Sequence, residues 1–272
     1  MALLPDYVFP DLSYNLLQSR MMRMSYTTPV TETLNDHVTI RFYNGEPIPD
    51  EMLAAILDAA RRSPTSSNMQ TYSIVVVRDP QTRKALSRIA SNQKHIETCD
   101  MFLAFCADIR RLETAVADQG VELAKSLELT LIATIDAALV GMSVQTAAES
   151  FGLGGVMIGA IRNDPKAAAE SLGLPDGVYV VYGMCLGWTD AERVPPQKPR
   201  LPQELVIHHE QYDRSAPSAG VEAYDDALAA HYGDLDRNQH VAAWSGPIAK
   251  RLQTPARPHL RPDLESSGFS FE

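Results

Sequence analysis

Apolar positions recur along this chain in two rhythms. Between residues 49 and 62, Met52, Leu53, Ile56, Leu57 and Ala60 fall at helical spacing, and Asp50 and Glu51 stand where a helix dipole favours acids. The continuous runs at residues 72–78 and 101–106 predict buried strands, and so do 156–159 and 179–186. Residues 80–91 predict a helix, as does the stretch from Asp164-Pro165 to Gly173. The longest helix is expected over about residues 119–150, ending at Gly152-Leu153-Gly154-Gly155. It is apolar on nearly all sides between Leu127 and Val144, which predicts a central, buried position. Four short strands around one long helix, with helices between them, make an α+β pattern rather than a regular βαβ array.

The ends read differently. The first 36 residues show no clear period, and residues 1–23 are either an upstream extension ahead of Met24 or an arm that packs on the body. Residues 188–272 are rich in proline, histidine and tyrosine, with two modest helices at about 219–232 and 240–252. They hold too little continuous apolar sequence for a core of their own, so they must pack on the body or on a second subunit. The expected organisation is an extension (1–36), a core (37–202) and a C-terminal arm (203–272).

The 272 residues are 45% apolar and 21% charged, which suits a globular chain able to bury a core without disulfides. The 34 acids against 24 Lys and Arg give a net charge of -10, which argues against a nucleic-acid binder. Cys99, Cys106 and Cys185 lie in or beside apolar runs and read as reduced core thiols. The N-terminal MALLPDYVFP lacks a basic start and carries Pro5, Asp6 and Pro10 where a signal peptide is apolar. The apolar stretch at 129–142 is short for a bilayer and contains Asp136. A soluble cytoplasmic protein without membrane association is expected.

Familiar motifs fail on context. Gly152-Leu153-Gly154 lacks the third glycine of a dinucleotide fingerprint and enters a strand rather than a helix. Gly154 to Gly159 has phosphate-loop spacing, but Ala160 replaces the lysine. No histidine or cysteine set has metal spacing, so no metal site is expected. What remains is four cationic or hydrogen-bonding segments bordered by apolar sequence: residues 37–41, 63–70, 93–95 and 198–202. Arginine offers a planar fork to phosphate oxygens, lysine a point charge, and hydroxyls add donors. A phosphate-containing ligand fits this set. So do surface salt bridges at Arg41 and Arg200 and a rigid linker at residues 198–202.

Several short stretches resemble the nitroreductase superfamily of flavoenzymes, and among them the oxygen-insensitive NADPH nitroreductases and NADPH–FMN flavin reductases. They are His37-x-x-x-Arg41-x-Tyr43, residues 63–70, Gln93-Lys94-His95, Gly152-Leu153-Gly154-Gly155, Ile158-Gly159-x-x-Arg162-Asn163, Gly183-x-Cys185-Leu186-Gly187-Trp188 and Lys198-Pro199-Arg200-Leu201-Pro202. Their order and spacing together are specific. The resemblance implies a central mixed or antiparallel sheet around the long helix, and a homodimer whose C-terminal arm packs on the partner subunit. It implies a tightly held FMN, reduced by NADPH or NADH, with nitroaromatics, quinones or free flavins as small-molecule acceptors. By carry-over, His37, Arg41, Lys198 and Arg200 bind the phosphate, and Thr39 belongs to the same cofactor site. Thr65 and Ser67 lie beside the flavin, Gln93 and Lys94 contact its ring or ribityl chain, and amides near Ile158, Gly159 and Ala160 face its reactive edge. No catalytic acid or base is expected, because the cofactor carries the chemistry. A specialised FMN enzyme, such as a reductive dehalogenase, and a non-catalytic flavin-binding protein are the competing readings. The chain departs from the family at Val38 and Ala160, where Arg and Gly are usual. In residues 233–240, where relatives place several arginines on the NADPH 2′-phosphate, only Arg237 and His240 remain, among Asp234 and Asp236. Arg257 matches an arginine that lines the substrate pocket.

Overall fold

The computed structural model describes residues 26–214, 217–233 and 243–272. The chain divides into two compact units, Met1–His37 and Val38–Glu272. In the first, α1 (Pro29–Asn35) corrects the expectation of an irregular stretch. Thr28 and Thr31 cap each other: Thr31 N donates to Thr28 Oγ1 at 3.2 Å and Thr28 N to Thr31 Oγ1 at 2.8 Å. Such a box, followed by proline in the first turn, closes a helix too short for apolar periodicity to reveal.

The second unit is built on one antiparallel sheet. Its strands are β1 (Tyr72–Val77), β2 (Met101–Asp108), β3 (Leu153–Ile158) and β4 (Val178–Trp188), in the order β1-β2-β4-β3. The two central strands explain the unbroken apolar runs: all of β2 is buried, and β4 is buried as far as Gly187. β3 begins ahead of residue 156 because Gly154 and Gly155 are strand rather than turn residues.

The helices are α2 (Asp50–Ala60), α3 (Pro80–Ile89), α4 (His95–Thr98), α5 (Arg110–Ala117), α6 (Leu127–Ser150), α7 (Pro165–Leu172), α8 (Pro217–Gly233), α9 (Ser245–Leu252) and α10 (Leu260–Ser266). Leu103, Phe105 and Ala107 of β2 face α2 and α6, while Phe102, Ala104 and Cys106 face α3, α4 and α7. Gly141 lets α6 lie directly on the sheet, since a Cβ there would overlap the Tyr182 hydroxyl.

The long helix differs from expectation twice. It starts at Leu127 rather than near residue 119, with Ser126 as its N-cap accepting from Leu129 N at 3.2 Å. The preceding residues form the separate, unanticipated α5, after which Gly120 at φ +72° breaks the chain. And α6 is buried on one face only, through Leu129, Ala133, Asp136, Ala137, Val140 and Val144. Leu131, Ile135, Leu139 and Met142, on the other face, are exposed. At 24 residues it is long and apolar enough to cross a bilayer, unlike the shorter run judged from sequence. Its inner face is committed to the sheet.

The arm takes one of its two expected placements. Its last stretch packs on its own body: Leu264 and Phe269 join the main core. Gly177 N donates to Ser267 O at 2.8 Å, Thr130 Oγ1 to Ser270 O at 2.7 Å and Leu127 N to Glu272 O at 2.9 Å.

Candidate functional site

Glycine at the sheet edge positions the first cationic segment. A Cβ on Gly154 would lie 2.6 Å from Ile40 Cγ1, so the bare strand admits Ile40, whose N–H donates to Gly155 O at 2.9 Å. Asn44 N donates to Trp188 O at 3.0 Å and Asp190 N to Phe42 O at 3.1 Å. Between these anchors Thr39 is half-buried and Arg41 exposed. Arg41 makes no ion pair among the described residues. It lies close enough to His95 to lower that imidazole's pKa, an effect second to burial. His95 Nε2 is buried without a hydrogen-bond partner. The burial of this nitrogen leaves no trace in the sequence, where His95 is one polar residue of a short motif. His37 ends the first unit, Met1–His37.

Gln93 and Lys94 follow Ser91 and Asn92, both left-handed at φ +60° and +58°. Gln93 is half-buried, and Lys94 Nζ is paired with Glu97 at 3.4 Å.

The loop over residues 63–70 is bent by three left-handed non-glycine residues, Ser67, Asn68 and Gln70, at φ +47°, +57° and +52°. Asp136, from the buried face of α6, holds both ends. It accepts from Ser66 N at 3.1 Å, Thr71 N at 3.1 Å and Thr71 Oγ1 at 2.8 Å. Thr65 is half-buried and Ser67 exposed in this frame. In the sequence this anchor shows only as an acid within an apolar helix.

β3 ends at buried Ile158 and turns through a short 3₁₀ segment, Gly159–Asn163, with Gly159 and Ala160 half-exposed. A Cβ on Gly159 would sit 3.5 Å from Arg162 Nη2. Arg162 donates to Val181 O, and Arg257 Nε donates to Asn163 Oδ1 at 2.9 Å.

Lys198 and Arg200 lie on a separate small cluster built from Tyr224, Leu228 and Ala243 with Leu201, Tyr232 and Trp244. Tyr224 Oη donates to Pro199 O at 3.1 Å, and Lys198 Nζ stands 5.6 Å from the Tyr232 ring centroid. Asp225 organises this cluster, accepting from Trp244 N at 2.6 Å and Ser245 N at 2.9 Å at the start of α9. Neither Lys198 nor Arg200 is in an ion pair, and neither shares a hydrogen bond with Arg41 or Gln93, among the described residues. Arg237 and His240 lie outside the described residues.

Arg41, Lys198 and Arg200 have no carboxylate partners among the described residues, and free cations of this kind suit a phosphate; no described hydrogen bond or ion pair joins Arg41 to Lys198 or Arg200.

Known proteins resemble the chain over most of its length. Residues 34–188 match the nitroreductase family and residues 198–272 the nitroreductase family C-terminal domain. An NADPH-flavin oxidoreductase of Vibrio harveyi is 38% identical over 239 residues, 88% of this chain and 97% of that protein. An oxygen-insensitive NADPH nitroreductase of Salmonella typhimurium is 37% identical over 243 residues, 89% of this chain and 99% of that one. The solved structure of an NADPH:FMN oxidoreductase from Vibrio harveyi complexed with NAD+ superposes with a TM-score of 0.80 at 37% identity, covering 89% of this chain and 99% of that one.

Proposed function

The chain belongs to the nitroreductase family, and on that premise we propose that it is an FMN-dependent NAD(P)H oxidoreductase reducing nitroaromatics, quinones or free flavins. Support comes first from Arg41, in no ion pair among the described residues, and from nearby His95, whose Nε2 is buried without a hydrogen-bond partner. Bound FMN supplies hydride transfer between a reduced nicotinamide and the acceptor. Arg41 and Arg200 meet its phosphate oxygens as planar forks and Lys198 as a point charge. Thr39, Thr65 and Ser67 offer hydroxyls, and Gln93 and Lys94 flank the ring or ribityl chain. Backbone N–H groups over Ile158, Gly159 and Ala160 donate toward the reactive edge.

The protein works as a soluble cytoplasmic homodimer in this reading. The outer face of α6 supports it, because Leu131, Ile135, Leu139 and Met142 form an apolar stripe with 40–55% exposure in the single chain.

Purified protein is expected to be yellow, to release FMN on denaturation, and to be bleached by NAD(P)H and re-oxidised by a nitro compound. Arg200→Ala weakens flavin retention by loss of a charge-assisted contact, on the order of tenfold or more. A colourless protein that cannot be reconstituted with FMN overturns the proposal.

A further inference from the structure

We infer that Arg111, in the first turn of α5, is a positioning residue for the loop over residues 63–70: its guanidinium fastens the carbonyls where that loop runs out into β1, as Asp136 fastens its amides, and so sets where Thr65 and Ser67 meet the flavin. The flavin's part in this rests on the function proposed above; the fastening of the loop does not.

A loop with left-handed Ser67, Asn68 and Gln70 persists only where its surroundings over-determine it. From one side Asp136 accepts from the amides of Ser66 and Thr71. The carbonyls that follow are met from the other side, by residues 108 and 111. Asp108 N donates to Thr71 O at 3.0 Å. Arg111 Nη2 donates to Tyr72 O and to Gln70 O, the latter at 3.4 Å, and Nη1 donates to Ser73 Oγ at 3.2 Å. One planar fork therefore spans acceptors on Gln70, Tyr72 and Ser73. Gln70 is the last left-handed residue before the chain straightens, so the fork sits at the point that decides the loop's exit angle.

The fork is itself aimed. Asp108 ends β2 with 8% of its side chain exposed, and its Oδ2 lies 3.2 Å from Arg111 Nη1. The same carboxylate accepts from Ser73 Oγ and, at 3.1 Å, from Arg110 N. Asp108, Ser73 and Arg111 thus close a ring that joins the start of β1, the end of β2 and the first turn of α5. Packing adds little to this. Arg111 lines two cavities, one of about 450 Å³ shared with Ser73, Thr114 and Leu174, and one of about 300 Å³ shared with Leu57 and Tyr72. With open space beside it and 58% of its side chain exposed, the guanidinium acts through its hydrogen bonds. Lysine would balance the charge of Asp108, but a point charge does not span Gln70, Tyr72 and Ser73 together. Charge balance and loop placement are therefore separable by that one substitution.

The test compares wild type with Arg111→Lys as holoenzymes, by amide hydrogen exchange and by the rate of FMN release on dilution, followed through flavin fluorescence. The lysine variant is expected to keep its urea midpoint and the slow exchange of β2. Exchange at Met69 and Thr71 should quicken by about tenfold and FMN release by about fivefold or more, as two directed hydrogen bonds are lost. The visible flavin spectrum should shift as well. If the lysine variant fails to fold, Asp108→Asn combined with Arg111→Met, which leaves neither charge unmet, takes its place under the same readouts. Wild-type loop exchange and wild-type FMN release in a folded variant overturn the inference. So does faster loop exchange with FMN release unchanged, or a loss of stability spread evenly over the strands, which marks charge balance alone. A wild-type protein that carries no FMN overturns the function proposed above, and loop exchange in the variant then still decides the fastening.

Discussion

The Asp136 carboxylate accepts three hydrogen bonds while only 1% of the residue is exposed. It is the hinge-pin of a loop whose backbone is otherwise unfavourable. Asp136→Asn turns one acceptor oxygen into a donor that faces N–H groups. The expected cost is about 2–3 kcal/mol, because a buried donor is left unmet. Urea unfolding should show a lower midpoint, and hydrogen exchange should quicken at Ser66 and Thr71 before it does in β2. An unchanged midpoint would contradict the anchoring role. The sequence displays Asp136 plainly, but its partners lie 70 and 65 residues away. Only folding brings them together, so spacing arguments cannot find them. The cations of residues 37–41 and 198–202 were visible because cationic residues stand out in an acidic chain. Neutral residues such as Asn163, which accepts from Arg257, and His95, whose Nε2 is buried, do not stand out in that way.

Among the elements, the strands were legible and α6 only half so. Residues 127–144 are apolar all round, and a pattern without a polar face reads as complete burial. The fold buries one face and leaves Leu131, Ile135, Leu139 and Met142 on the other, at 47%, 55%, 40% and 40% exposure. Hydrophobicity records that a surface will be covered, not whether the same chain covers it. If a second copy does, Ile135→Lys places an unpaired charge in that contact, which is costly to desolvate. Light scattering after size-exclusion chromatography should then report a shift from dimer to monomer, with flavin lost in parallel. A dimer as persistent as wild type after this change removes α6 from the interface. Of the helices that the pattern did not announce, α1 and α5 have no buried residues, and α4 and α10 bury one each, so no apolar period marked them.

Across the whole molecule, the α+β class followed from element type and order. The strand order did not, since the central pairing of β2 with β4 joins distant segments. Nucleotide choice belongs to this scale as well. The 2′-phosphate of NADPH adds about two negative charges that cations must meet for strong discrimination. Residues 233–240 offer Arg237 as their one permanent cation, directly after Asp234 and Asp236. A narrow preference for NADPH over NADH is expected, and Arg237→Ala should raise the KM for NADPH while nearly sparing that for NADH. A preference of about a hundredfold that survives the substitution would refute this assignment. The C-terminal stretch has a further consequence, for the order in which the molecule is made. Thr130 is tied to a residue 140 positions later, and Leu264 and Phe269 fill the core beneath α6. Contacts that distant slow folding. A ribosome completes all four strands long before it delivers Phe269. Until then the growing chain carries its longest helix without the core residues that Leu264 and Phe269 supply, and with Leu131, Ile135, Leu139 and Met142 open on its outer face. That interval is when this protein most needs a chaperone, and slowing translation between Trp188 and Phe269 prolongs it.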